Sequence, residues 1–147
     1  MPRKKKPTHQ AFESKTAHGR FVKLTVSMLS SPAWQELTVY EQALYIAIKG
    51  KYKGTNNKTG QDNSRDISFT HAEGQQLMSK ARFIKAIDRL IAVGLIDLVE
   101  HMPQAKRATI YGLSDRWHYY GTPEFKEQER VKSKCPYRGG ARPKKQK

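Results

Sequence analysis

The run SKARFIKAIDRLIAVGLIDLVE, Ser79 to Glu100, changes its hydrophobic period midway. At about 100° per residue, Phe83, Ile84, Ile87, Leu90 and Ile91 fall on one face of a helix, with Arg82, Lys85 and Arg89 opposite. Ser79 is a good N-cap, Met78 before it can staple onto Phe83, and Gly94 supplies the left-handed residue at which such a helix stops. Beyond Gly94, LIDLVEH reads as a strand, MPQAKRA as a basic turn containing Lys106 and Arg107, and ATIYGLS as a returning strand.

Upstream, two T-x-x-E boxes mark helix starts: Thr38 with Glu41, and Thr70 with Glu73. The first opens LTVYEQALYIAIKGKY, whose apolar residues cover nearly every face. That predicts a helix buried on more than one side, at the centre of the core. The second opens a helix running to about Leu77, weakened at Gly74 by roughly 1 kcal/mol relative to Ala. Lys53 to Arg65, dense in Gly, Asn, Ser and Asp, is a loop, and DISF after it offers a short strand. FVKLTV, Phe21 to Val26, reads as a short strand or an extended arm. Met28, Leu29, Trp34 and Leu37 then surround a short helical turn, with Pro32 placed to start a turn or a helix.

The order is therefore helix, loop, short strand, helix, tight turn, helix, strand, basic turn, strand. This is a mainly α chain with a small β-hairpin, an α+β winged helix-turn-helix. In such a fold the second helix of the pair enters the major groove with its N-terminal residues nearest the base edges. The hairpin tip lies along phosphates or in a minor groove.

Charge sharpens the picture. The chain of 147 residues carries 28 Lys and Arg against 13 Asp and Glu, a formal +15. Such an excess favours polyanionic partners, chiefly nucleic acid, ahead of an anionic membrane surface. Residues 1–20 contribute +5 and residues 121–147 contribute +6, so the ends hold most of the charge. Residues 1–20 and 126–147 are expected to be disordered basic tails around one domain, 21–125. Those tails raise affinity for any polyanion without selecting a sequence. Cys135 is the only cysteine, so neither an internal disulfide nor a cysteine zinc site is expected, and a reducing compartment fits. MPRKKKPTHQ has no apolar stretch behind it, unlike a secretory signal, and no apolar run approaches the roughly 18 residues of a membrane span.

Four stretches carry a resemblance. LIAVGLIDLVE resembles the helix-Gly-strand junction common to winged-helix regulators. FVKLTVSMLSSPAWQELTVYEQALYIAIKGKY, the Asn56-Asn57 loop and IYGLSDRWHYYGTPEF resemble small winged-helix proteins of bacterial plasmids and mobile elements, related to the N-terminal domains of plasmid replication initiators. The likeness spans about residues 21–125. It implies double-stranded DNA binding through a recognition helix carrying Ser79, Lys80, Arg82 and Lys85, with a wing contact from Lys106 and Arg107. Gly74 and Gln76 stand where that family carries more apolar packing. The short run after the wing points to a regulator or accessory replication factor rather than an autonomous initiator.

Other chemistries find little support. KGTNNKTG lacks the Gly directly before Lys-Thr that a phosphate loop needs. The five histidines show no metal-ligand spacing, and nothing places a nucleophile beside a base. Trp117, Tyr119 and Tyr120 could stack on bases, but a lid closing the core with Trp34 is the simpler reading. Arg116 could hold an acidic partner or a phosphate. Lys49, Lys51, Lys53 and Lys58 either extend the positive face or belong to a solvated loop.

The expectation is a cytoplasmic, nucleoid-associated, non-enzymatic protein with no cofactor and no small-molecule substrate, binding duplex DNA either alone or as a homodimer. Arg82 and Lys85 would read bases, Ser79 and Lys80 would position the helix, and Arg89 would meet a phosphate or another side chain. The alternative is a basic RNA- or ribosome-associated protein using the same fold as a platform. A third reading is a module that dimerises through it.

Overall fold

The computed structural model describes residues 21–56, 58–101 and 107–128. The expected basic tails (residues 1–20 and, from 129 on, the C-terminal one) and the turn at 102–106, with Lys106, lie outside the described residues.

Two short helices open the domain: α1, Val26–Leu29, and α2, Pro32–Gln35. FVKLTV forms no strand. Residues 21–25 are an arm, and Thr25 accepts the Met28 N–H to cap α1. Pro32 occupies the first turn of α2, where its missing N–H costs nothing, and Ser31 caps that helix through the Trp34 N–H. Helix α3, Val39–Lys49, begins where the Thr38 N–H donates to the Glu41 carboxylate at 2.7 Å. The loop after it is stapled by Asn63, which bonds the backbone of Lys51 and Lys53.

Strand β1, Ile67–Ser68, leads into α4, His71–Gln75, and then α5, Lys80–Ala92. At α4 the capping box is reciprocal: the Thr70 N–H donates to Glu73 and the Glu73 N–H donates to Thr70 Oγ1. At α5 the Ser79 hydroxyl accepts the Arg82 N–H, and Gly94 terminates the element with φ +82°. Strands β2, Ile96–Glu100, and β3, Ile110–Leu113, pair antiparallel, and β1 adds to the other side of β3. The sheet order is β1-β3-β2. A 3-10 turn, Arg116–Tyr119, follows. The result is a small α+β protein with five short-to-medium α-helices and one three-stranded antiparallel sheet among the described residues.

The core gathers the inner face of α5 (Phe83, Ala86, Ile87, Leu90, Ile91) against Leu44, Tyr45 and Ile48 of α3, with Ile67, Ile96 and Tyr111 from the sheet. Two sequence readings need correction here. Helix α3 buries one side only: Val39 is 78% exposed, and Tyr40 and Ile46 are also exposed. Its aromatic and β-branched content hid an amphipathic placement. Second, α4 ends at Gln75, two residues short of Leu77, and Gly74 does more than weaken it. A Cβ at Gly74 would lie 2.2 Å from the Phe83 ring, so the bare backbone is what lets α4 and α5 meet.

Trp117 is buried in the same core as Trp34, as a lid would be, whereas Tyr119 remains exposed. Packing continues through Gln128, whose side-chain amide bonds both the N–H and the C=O of Leu98. That covers part of the edge of β2.

Candidate nucleic-acid interface

Helix α5 turns its buried face inward so completely that its cations have one direction left. Within that outer face they are not equivalent. Lys80 and Lys85 are exposed, and no hydrogen bond or ion pair engages either among the described residues. Arg82 is exposed too, but its guanidinium lies 4.2 Å from the centre of the Tyr40 ring, a cation–π contact across to the start of α3. That contact limits the rotamers of a long side chain that is otherwise exposed. Ser79 spends its hydroxyl on the helix cap.

Arg89 has a different role. It donates to Glu36 Oε2 at 2.6 Å, and the Tyr120 hydroxyl donates to the same oxygen at 2.7 Å. That bond to Glu36 raises the pKa of the Tyr120 phenol. Arg89 therefore meets a side chain rather than standing ready for a phosphate. It ties α5 to the end of α2 and to the C-terminal segment.

Arg116 also finds an acidic partner. Its Nε donates to Asp97 at 2.7 Å, Arg65 approaches the other carboxylate oxygen at 2.6 Å, and the Arg116 guanidinium also donates to the carbonyls of Ile91, Ile96 and Lys126. Burial pushes the Asp97 carboxyl up, but the hydrogen bonds from Arg65 and Arg116 outweigh it and hold the group below the usual carboxylate range. This cluster locks the end of α5 to β2. Lys51 likewise belongs to the scaffold: it pairs with Glu73 and donates to the Ser68 carbonyl, and this contact lowers the Glu73 pKa.

Of the expected wing cations, Arg107 is described, and it is exposed. It lines a groove of about 400 Å³ together with Thr70 and His71 at the start of α4, Phe83 of α5 and Thr109 before β3. The returning side of the hairpin turn and the helix pair thus share one concave surface. His71 stands edge-on to Phe83, with ring centres 5.2 Å apart.

The cation stripe on α5 was legible from spacing alone. Tyr40, Glu36 and the groove residues His71 and Thr109 were not, because their relation to α5 or Arg107 arises from chain segments far apart in sequence. The described residues contain no group of His, Cys, Asp and Glu able to hold a metal. None of their helices is long and apolar enough to cross a membrane. Comparison with protein-family models, curated proteins and solved structures returned no match.

Proposed function

We propose that this chain is a winged-helix protein that binds duplex DNA, with α5 as recognition helix and the β2–β3 hairpin as wing, serving as a regulator or accessory replication factor. The observation that carries the reading is the division of α5. Five side chains anchor it in the core, while Lys80, Arg82 and Lys85 project from its N-terminal half into solvent. A recognition helix presents that half to base edges. The sheet order, with β1 adding to β3 of the hairpin beside the helix pair, suits the same fold.

Under this reading Lys85 and the Tyr40-braced Arg82 approach base edges, where a bidentate contact to guanine O6 and N7 is the commonest specific pairing. Lys80 and Ser79 sit at the helix entry, and Arg107 and Lys106 hold the backbone from the wing. Arg89 supports the surface without entering it. The basic ends of the chain add affinity that does not depend on sequence.

Selection of binding sites from a random duplex pool, followed by anisotropy titrations of the selected duplex, tests the proposal. Lys85→Ala should weaken the selected site more than a scrambled one. Equal loss on both would assign Lys85 to phosphate contact alone, and no loss on either would remove α5 from the interface. A preference for structured RNA over every duplex would favour the RNA-associated reading instead.

A further inference from the structure

At the far end of α3 from Tyr40 lies a second surface that the α5 reading leaves unused. Phe21 is 81% exposed, more than any other large hydrophobic side chain among the described residues. The arm that carries it is anchored: Leu24 packs against the core, and Val22 lies over the bare backbone of Gly50, 3.8 Å from where a Cβ would stand. The ring is thus held out from a fixed base. Beside it runs a groove of about 670 Å³, walled by Tyr52 and ringed by Lys23, Lys49 and Lys53, with no carboxylate in its lining.

Three lysines and no carboxylate line an aromatic wall, so the lining carries positive charge only. Burial lowers the Lys49 pKa; Asp115, outside the groove, works against this, while Lys23 adds to the lowering. Tyr52 is half-buried and packs against the core, which backs the ring as a wall. A ligand relieving these features needs negative charge at intervals and a flat apolar face between. A nucleic-acid strand has both. In a duplex the faces of the bases are hidden in the stack, so an exposed ring of this kind suits an unpaired base.

We propose that this groove binds single-stranded nucleic acid, with one base stacked on Phe21 against the Tyr52 wall and the flanking phosphates held by Lys23, Lys49 and Lys53. The site is separate from the α5 surface and stands without it. Together the two would let one chain hold a duplex and an adjoining unpaired strand.

The test uses the full chain and three fluorescent probes at physiological ionic strength: a short oligothymidylate, an abasic strand with the same number of phosphates, and a duplex. Phe21→Ala should weaken oligothymidylate binding roughly tenfold, the scale of one lost base–aromatic stack, and leave the abasic strand and the duplex unchanged. Phe21 lies outside the core, so its loss leaves the fold intact. The triple variant Lys23→Gln, Lys49→Gln, Lys53→Gln should weaken both single strands. Oligothymidylate binding that is absent, unchanged in Phe21→Ala, or lost in parallel with the abasic strand overturns the proposal. Lys85→Ala should affect the duplex alone; if it removes single-strand binding instead, α5 holds the strand and the groove does not.

Discussion

Replacing Gly74 with Ala sets two effects of opposite sign against each other. Helix propensity alone favours Ala by about 1 kcal/mol. The structure opposes it. The new methyl would stand 2.2, 2.5 and 2.7 Å from three atoms of the Phe83 ring. That ring cannot step aside, because it is 2% exposed, stacks on Phe69 and meets His71 edge-on. Overpacking a filled core costs about 1–3 kcal/mol, and contacts this short place Gly74→Ala at the upper end. The net effect is a destabilisation of about 2 kcal/mol, or roughly 10 °C in Tm for a domain of this size. Thermal and urea unfolding followed by circular dichroism measure it. A double-mutant cycle with Phe83→Leu, which withdraws ring atoms, should show Gly74→Ala costing less in the Leu background, with about 1 kcal/mol of coupling. A Tm that stays level or rises in the single variant would show that α4 and α5 are not packed through this glycine.

Three further expectations follow from the ion pairs and the free cations. Asp97→Asn should cost about 2 kcal/mol near neutral pH, mostly through Arg116, since Arg65 is largely exposed. The folded pKa of Asp97 lies below its unfolded value, so this stabilisation is complete above the ordinary Asp pKa and disappears as pH falls through the lowered one. Urea midpoints of the two proteins should converge in strong acid, and a constant gap would assign the effect to packing. Glu36→Gln removes the carboxylate that holds Arg89 and should change stability by less than about 1 kcal/mol. It should also tighten duplex binding, by freeing a cation on α5; weaker binding in anisotropy titrations would show that Glu36 organises the surface. Lys85→Ala should lower the slope of log K against log salt by about 0.9 if Lys85 meets a phosphate, and leave the slope nearly unchanged if its contact is to a base.

Local signals in the chain were enough for the three longer helices, α3 to α5, and the three strands in their order. Thr38, Thr70 and Ser79 cap helices as their spacing implied, and Gly94 adopts the left-handed turn that ends α5. These interactions reach across three or four residues, so a linear reading contains them. What stayed hidden depends on segments far apart. Glu36 meets Arg89 and Tyr120, Tyr40 meets Arg82, and Asp97 meets Arg65 and Arg116. Periodicity can say that Arg82, Lys85 and Arg89 share a face, but not that one of them is neutralised from α2 and another braced from α3.

Helix α3 shows the complementary limit. Its apolar residues on nearly every face suggested burial on more than one side, yet Val39, Tyr40 and Ile46 are exposed. Hydrophobicity reports which residues prefer to be covered, and a domain this small has too few neighbouring elements to cover them all. Gly74 was visible as a poor helix former, but its reason, the Phe83 ring nine positions later, appears only when the two helices are packed.

The most direct measurement is the affinity of full-length Lys85→Ala for the duplex recovered by selection, set against a scrambled duplex of equal length. Lys85 is exposed and unpaired among the described residues, so its removal leaves the fold alone. Selective loss on the chosen duplex, by about 1–3 kcal/mol, is the expected result. Unchanged affinity for both, with DNA binding retained, would mean that the outer face of α5 does not meet the groove.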